Sequence, residues 1–283
     1  AALASEVSAV SAVQASEAST TPGHSSETLD TDGPEFLWPA TPESTPPSSP
    51  RCSPAEPPMG LSWACAPQPP PVEPRKAEVD ECDRLLAQLS DDVAGRHVQL
   101  AQLTGRAWQL ATTQSGCRVI QKALEVADTS ERAVLAEQLK GHVWEACTSP
   151  HANHVLQKCI ELMPADRLQF VLSELKGHAV GAARHRYGCR VLERLIEHCS
   201  AWQTAGLVDE VLNGAPQLCR HTFGNFVIQH ILVHGMDEQR QRIATVLCAD
   251  IQRLARHRVA SHVVRCALVH CSPQDRQRLA MAM

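Results

Sequence analysis

The chain has 283 residues and a net charge of -5, with 43% hydrophobic, 20% charged and 4% aromatic residues. This length is enough for one large domain or two small ones with a sizeable hydrophobic core. No apolar run approaches the roughly 20 residues of a membrane-spanning helix, which excludes a protein that crosses the bilayer in helices. The first 20 residues lack a basic segment, so we expect no secretory signal.

The cysteine content does not indicate a disulfide framework. Twelve cysteines are scattered from Cys52 to Cys271 without a C-x-x-C pair. Disulfide scaffolds and zinc sites need regular, closer spacings, and the histidines show no metal-ligand spacing of the H-E-x-x-H kind. We expect free thiols in a reducing compartment, and neither a metal nor another cofactor. Several are predicted to be buried as small hydrophobic residues: Cys147, Cys159, Cys219, Cys248 and Cys266.

The amino-terminal part of the chain differs in composition from the rest. Fifteen of the 19 prolines lie between Pro22 and Pro74. Residues 1–104 hold 5 Lys and Arg against 15 Asp and Glu, a net charge of -10, whereas residues 105–283 hold 21 against 16, a net charge of +5. A segment rich in Ser, Thr, Pro and Glu buries too little apolar surface to offset the entropy of ordering. Residues 1–77 are therefore predicted to form a disordered, acidic tail.

The next segment, residues 78–104, contains two stretches with helical character, 80–89 and 93–103. They lack the pattern that repeats further along the chain. This segment is predicted to be a helical cap or a degenerate repeat.

From residue 105 onward the sequence repeats itself. Five segments each contain a small residue, a variable residue, a planar residue, Val, a large aliphatic residue and a long polar residue, at steps of 36 residues without an insertion. They are residues 116–121, 152–157, 188–193, 224–229 and 260–265. Val with aliphatic residues one and five positions later places an apolar stripe along a helix. A shorter helix is predicted before each segment and an amphipathic helix after it. Such units bury their faces against their neighbours, so an all-α solenoid of five three-helix repeats is predicted over residues 105–283.

Polar residues occupy the other positions of each segment. The second and sixth residues are i and i+4 neighbours, which project side by side from a helix. They are Cys117 and Gln121, Asn153 and Gln157, Cys189 and Glu193, Asn225 and Gln229, and Ser261 and Arg265. The third residue is planar each time: Arg118, His154, Arg190, Phe226 and His262. A row of planar groups beside hydrogen-bonding pairs suits a linear ligand with flat, polar-edged elements, which favours single-stranded nucleic acid.

These segments resemble the RNA-binding repeats of the Pumilio (PUF) family. The resemblance is carried by QSGCRVIQKALE at 114–125, NHVLQKCIE at 153–161 and FGNFVIQH at 223–230, and it extends over residues 105–283. It implies that each repeat binds one base, with the polar pair on the Watson–Crick edge of the base and the planar residue stacked between bases. The family's domain usually has eight repeats, and five are legible here.

The resemblance also implies a base for each pair. Asn with Gln implies uracil, Cys with Gln implies adenine, and Glu after a small residue resembles the guanine reader. A carboxylate suits the two adjacent N–H donors of guanine. Ser261 with Arg265 departs from the common pairs, and the donor-only guanidinium suits the acceptors of cytosine. Because RNA runs antiparallel to the protein in this family, the five repeats imply 5′-CUGUA-3′.

Function and partners follow from the resemblance as expectations. It implies sequence-specific binding of single-stranded mRNA in 3′ untranslated regions, with control of mRNA stability or translation in the cytoplasm. We expect a monomer without membrane contact, whose tail binds protein corepressors. The sequence contains no phosphate-binding loop, nucleophile–base pair or paired catalytic carboxylates, so no enzyme is expected. Two alternatives remain: a nucleolar assembly factor that binds rRNA by its shape, and a protein-binding scaffold of the HEAT or armadillo kind.

Basic residues precede the last three segments. They are Arg184, Arg186, Arg220, Arg256 and Arg258. They either contact RNA phosphates or form a solvated face, and phosphate contact predicts that affinity falls steeply with salt.

Overall fold

The computed structural model describes residues 76–91 and 95–283. Helices joined by short turns make up these residues, and none of them lies in a β-strand. The predicted disordered tail falls outside the described residues, except that the first helix already begins at Lys76. Within the described ranges, every helix is too short or too polar to cross a bilayer.

Two helices precede five three-helix units. They are α1 (Lys76–Asp91) and α2 (Arg96–Thr104). Each unit has a short first helix, a middle helix that carries one repeated segment, and a third helix. The units are α3 (Ala107–Ala111), α4 (Gln114–Val126) and α5 (Thr129–Glu137) in unit 1; α6 (Val143–Thr148), α7 (Ala152–Leu162) and α8 (Gln169–Leu175, after a 3-10 turn at Ala165–Leu168) in unit 2; α9 (Ala179–Arg184), α10 (Gly188–His198) and α11 (Ala201–Asn213) in unit 3; α12 (Ala215–Leu218), α13 (Gly224–His234) and α14 (Asp237–Cys248) in unit 4; and α15 (Ile251–Arg256), α16 (Ala260–His270) and α17 (Pro273–Ala282) in unit 5.

The middle helices lie side by side in one row. α4 packs against α7, α7 against α10, α10 against α13, and α13 against α16. The repeated valines are completely buried in this row: Val119, Val155, Val191, Val227 and Val263. Each unit therefore buries apolar surface against its neighbours. The predicted all-α solenoid of five three-helix repeats is confirmed.

α1 and α2 pack as the middle and third helices of a further unit would. α1 packs on α4, and α2 packs on α5. Leu89 of α1 and Leu100 and Leu103 of α2 are buried. The helices correspond to the predicted stretches 80–89 and 93–103, although α1 is longer at both ends. A cap or degenerate repeat remains our interpretation of these contacts.

Small residues open the middle helices because the preceding first helix passes close to them. A Cβ atom on Gly116 would lie 2.4 Å from the carbonyl oxygen of Leu110. A Cβ atom on Gly188 would lie 2.7 Å from the carbonyl oxygen of Ala182. At these two positions only glycine permits the backbones to approach so closely, whereas Ala152 and Ala260 occupy the equivalent positions of units 2 and 5.

Two turns between units are closed by glutamates. Gly141 and Gly177 have φ angles of 80° and 85°, in the left-handed region that favours glycine. The carboxylate of Glu174 accepts hydrogen bonds from the N–H of Gly141 at 2.9 Å and from the N–H of Val143 at 3.2 Å. The carboxylate of Glu210 accepts hydrogen bonds from the N–H groups of Gly177 and Ala179, both at 2.8 Å. Each carboxylate thus joins the third helix of a unit to the start of its first helix.

Candidate nucleic-acid interface

The first residue of each polar pair is anchored on the backbone. Its side chain donates a hydrogen bond to a carbonyl oxygen three or four residues earlier. The donors are Cys117, Asn153, Cys189, Asn225 and Ser261, at 3.2, 2.7, 3.6, 2.8 and 3.4 Å respectively. All are buried except Ser261, which is half-buried. The start of each middle helix therefore fixes the orientation of the predicted base-edge residue.

In units 2 and 4 the two members of the pair bond to each other. Gln157 donates to the side-chain oxygen of Asn153 at 2.8 Å. Gln229 donates to that of Asn225 at 3.0 Å. Two carboxamides held side by side offer donors and acceptors at a fixed spacing, which complements a base edge that presents both.

In unit 3 a buried carboxylate is half satisfied. Glu193 is 1% exposed, and its Oε2 accepts a hydrogen bond from Nη1 of Arg190 at 2.9 Å. Its Oε1 is buried and has no hydrogen-bond partner among the described residues. An unsatisfied buried acceptor costs about 1–3 kcal/mol, and more when it is charged. This oxygen would therefore gain from a ligand that brings an N–H donor.

The pairs of units 1 and 5 differ in exposure. Gln121 is half-buried, and its amide donates to the backbone oxygen of Cys117 at 3.2 Å. Arg265 is exposed, and its Nη2 lies 3.2 Å from Nδ1 of the neighbouring His262. Unit 5 thus presents a guanidinium at the surface where the other units present a less exposed side chain.

The planar residues project from the same helices as the pairs. Arg118, His154, Arg190 and His262 are exposed, and Phe226 is half-buried. The guanidinium of Arg190 lies over the ring of Phe226, 5.5 Å from its centroid. Planar side chains of units 3 and 4 therefore face each other between α10 and α13. The ion pair of Arg190 with Glu193 was not predicted from the sequence.

The middle helices share a capping position that was also not predicted. Thr113, Ser149, His185, His221 and His257 each lie three residues before the small residue of their segment. Each accepts hydrogen bonds from backbone N–H groups of the helix start, through a hydroxyl in units 1 and 2 and through Nδ1 of the imidazole in units 3 to 5. The 36-residue spacing of polar residues at this position was the available sequence signal.

The histidine caps act only in the neutral form. An imidazole that accepts a hydrogen bond at Nδ1 carries its proton on Nε2. Burial and the nearby Arg186 lower the pKa of His185. Burial and the nearby Arg184 lower the pKa of His221. The surroundings of both rings therefore favour the neutral form that caps the helix.

The cysteines outside the pairs are mostly buried. Burial raises the pKa of Cys147, Cys159 and Cys219 to about 12, so these thiols stay protonated. Cys248 and Cys266 are half-buried, which is less than predicted. All ten cysteines that the structure describes are free thiols.

A cluster of metal-ligand type lies near the start of α5, away from the middle-helix row. His97, Asp128 and Glu131 bring ligand atoms within 4.8 Å of one another. The two carboxylates form a reciprocal cap, in which each accepts the backbone N–H of the other residue. Glu131 also bonds to His97 at 2.5 Å. Capping of α5 and its link to α2 account for this cluster.

Comparisons with known proteins agree with the repeat units. A sequence model described as the Pumilio-family RNA binding repeat matches five segments, which coincide with units 1 to 5 and together cover more than half of the chain. They are residues 106–140, 142–176, 178–212, 215–248 and 250–282. No curated protein sequence is significantly similar to this chain.

Solved structures share the fold. The Puf3 RNA binding domain bound to site B of the Cox17 RNA 3′ UTR recognition sequence is 28% identical, with a TM-score of 0.67, over 72% of this chain and 62% of that chain. Its complex with site A matches at the same identity and TM-score, over 72% of this chain and 65% of that chain. The RNA-binding domain of yeast Puf5p bound to MFA2 RNA is 21% identical, with a TM-score of 0.57, over 62% of this chain and 50% of that chain.

The chain thus spans less than two thirds of the length of these solved chains. The family match nevertheless includes all five units, with their buried valines and anchored polar pairs. The chain therefore belongs to the Pumilio (PUF) family of RNA-binding repeat proteins.

Proposed function

We propose that this chain binds single-stranded RNA sequence-specifically and contacts one base with each of its five middle helices. The observation that carries the proposal is the row of backbone-anchored polar pairs, each beside a planar residue, at 36-residue steps. Puf3, a structural relative, is bound to a 3′ UTR recognition sequence. The net charge of +5 over residues 105–283 also suits an anionic ligand.

The chemistry of each pair supports one base. The paired carboxamides of units 2 and 4 complement uracil, which offers an N–H donor between two carbonyl acceptors. Glu193 accepts from guanine through its unsatisfied oxygen, and Gln121 bonds to adenine. Arg265 donates to the acceptors of cytosine. Read from unit 5 to unit 1, with the RNA antiparallel to the protein, the proposed site is 5′-CUGUA-3′.

The proposed biological role is control of mRNA stability or translation through binding to 3′ untranslated regions. Residues 105–283 form the RNA-binding array, residues 78–104 cap it, and residues 1–77 are a regulatory tail that recruits protein corepressors. We propose a cytoplasmic monomer with a binding role and no catalytic one. An acidic tail followed in the sequence by a basic array also suits regulation of RNA access by charge.

Competition between unlabelled RNAs tests the proposal. The protein is bound to a fluorescent RNA that contains CUGUA, and unlabelled copies of this RNA or of a scrambled sequence of the same composition are added. Each mismatched base costs about 1–3 kcal/mol. We therefore expect the scrambled RNA to compete at least about tenfold less well. Equal competition by the two RNAs would contradict sequence-specific binding.

Alanine variants separate the proposal from its alternatives. Gln157→Ala and Gln229→Ala each remove the second residue of a polar pair. Sequence-specific binding therefore predicts a strong loss of affinity for the CUGUA RNA. Gln241→Ala, on the exposed side of α14, is the matched control. A mild loss in both variants would favour recognition of RNA shape, and binding equal to the control would favour a protein-binding scaffold.

A further inference from the structure

A cleft with basic walls lies between α15 of unit 5 and the turn that follows α12 of unit 4. It has a volume of about 630 Å³ and is open to solvent. Its lining residues are Arg220, Asp250, Arg253, Arg256 and His257. Arg253 and Arg256 are three residues apart on α15, so their side chains lie on one face of that helix.

The charges in the cleft do not cancel. Asp250 is the single carboxylate of the lining, and it is paired with Arg220. Among the described residues, no carboxylate forms an ion pair with Arg253 or Arg256. Two guanidinium groups therefore face the cleft without a counter-charge, in the arrangement that binds a phosphate through several N–H donors.

His257 connects the cleft to the middle-helix row. Its Nδ1 accepts the N–H groups of Val259 and Ala260, both at 3.2 Å, at the start of α16. The ring proton is therefore on Nε2, and the ring forms part of the lining. Ser261 follows directly in the first turn of α16, so the cleft adjoins a predicted base-edge residue.

At one position of the repeat, arginine occurs only in units 3 to 5. Four residues before the small residue of each segment, units 1 and 2 have Thr and units 3 to 5 have Arg. These residues are Thr112, Thr148, Arg184, Arg220 and Arg256. The clustering of arginines at units 4 and 5 is thus a property of particular units and not a requirement of the repeat.

We propose that this cleft binds a backbone phosphate of the same single-stranded RNA whose bases contact the middle helices. The inference rests on the proposed function. Phosphate contacts fix the position of a nucleic acid and contribute affinity without reading its sequence. The cleft would therefore strengthen binding of every RNA to about the same extent, in contrast to the polar pairs.

Charge-neutral variants test the inference. Arg253→Gln and Arg256→Gln are made singly and together, and Arg276→Gln, on the exposed side of α17, is the matched control. Thermal unfolding verifies that all variants are folded. The dissociation constants for the CUGUA RNA and its scrambled form, both without terminal phosphates, are measured at several salt concentrations.

The expected result is a several-fold loss of affinity for both RNAs in the cleft variants, with their ratio unchanged. The slope of log K against log salt concentration should become shallower by about 0.7, because the variant neutralises one phosphate fewer than the wild-type protein. Inorganic phosphate at constant ionic strength should weaken RNA binding to the wild-type protein more than to the double variant.

Other results would overturn the inference in distinguishable ways. If the wild-type protein binds the RNA and the cleft variants match Arg276→Gln in affinity and slope, the cleft holds no RNA phosphate. If inorganic phosphate then still shifts the NMR signals of His257, the cleft is a site for free phosphate only. If the wild-type protein binds neither RNA, the proposed function fails, and this inference fails with it.

Discussion

At the scale of single residues, Glu193 belongs to both the fold and the candidate site. One of its carboxylate oxygens bonds to Arg190, which in turn lies over the ring of Phe226. The other oxygen is buried and unsatisfied. In the proposed complex, guanine supplies the missing donors, and Arg190 and Phe226 are the planar side chains nearest to it.

Glu193→Gln should move the preference at the third base from guanine towards adenine, because an amide offers a donor where the carboxylate only accepts. A pair of hydrogen bonds that discriminates bases is worth about 1–3 kcal/mol, so the ratio of the two affinities should change by about tenfold or more. Competition with CUGUA and CUAUA RNAs measures this ratio.

The control for this substitution is Glu197→Gln, one turn further along α10. Glu197 bonds to Arg194 and His230 instead of facing a predicted base. The Glu197→Gln substitution should leave the base preference unchanged. An unchanged preference in Glu193→Gln as well would show that this residue does not read the base.

Residue types at the candidate site were predictable, and their mutual contacts were not. The 36-residue spacing identified Arg190 as a planar residue and Glu193 as a polar one, since both follow from position alone. Arg190 contacts both the buried carboxylate of Glu193 and the ring of Phe226 in the next unit. These contacts depend on the packing of α10 against α13, which a pattern within one unit does not contain.

At the scale of elements, the start of each middle helix depends on one capping residue. Unpaired N–H groups at a helix start are stabilised by an acceptor side chain. Units 1 and 2 supply a hydroxyl, which is insensitive to pH, whereas units 3 to 5 supply a neutral imidazole. The same structural task is therefore performed by one chemical group in units 1 and 2 and by another in units 3 to 5.

The histidine caps should make stability depend on pH. In the folded protein, burial lowers the pKa values of His185 and His221. In the unfolded chain the pKa of histidine is about 6.5. As the pH falls through that value, the unfolded chain takes up protons that the folded protein does not, so the free energy of unfolding decreases. Urea unfolding at pH 7.5 and 5.5 measures the difference.

A double variant with His185→Ser and His221→Ser is the control, since Ser149 shows that a hydroxyl serves at this position. Its free energy of unfolding should change less between the two pH values than that of the wild-type protein. Equal changes in the two proteins would mean that other groups cause the pH dependence.

The elements themselves were largely predictable, and the links between them were not. The apolar stripe and the small residue define each middle helix, and both are visible in one unit. The glutamate that closes the turn before a first helix lies more than 30 residues further along the chain. The glutamate occurs in unit 2 as Glu174 and in unit 3 as Glu210, whereas unit 4 has Val246 at the equivalent position. A pattern shared by all units therefore does not reveal it.

At the scale of the whole molecule, stability is expected to vary along the array. The row of middle helices packs each unit against the next one along the chain. In such a stack, stability is approximately a sum of unit terms and nearest-neighbour interfaces. The five units therefore need not unfold as one.

Leu192→Ala in α10 tests this expectation. Leu192 is completely buried in unit 3, and its truncation should cost about 2–5 kcal/mol. Amide hydrogen exchange should show the largest loss of protection in units 2 to 4 and a smaller loss in units 1 and 5. A uniform loss across all five units would show instead that the array unfolds cooperatively.

The backbone anchor of the first pair residue bears on how binding preference can evolve. Cys, Asn and Ser all occupy this position, and each donates to a carbonyl oxygen that the main chain supplies whatever the side chains are. Exchange of one small donor for another therefore changes the group offered to a ligand and keeps the side chain anchored at the start of the helix. In the proposed RNA-binding role, a single substitution at this position would therefore change the base preference of one unit with no compensating change elsewhere in the chain.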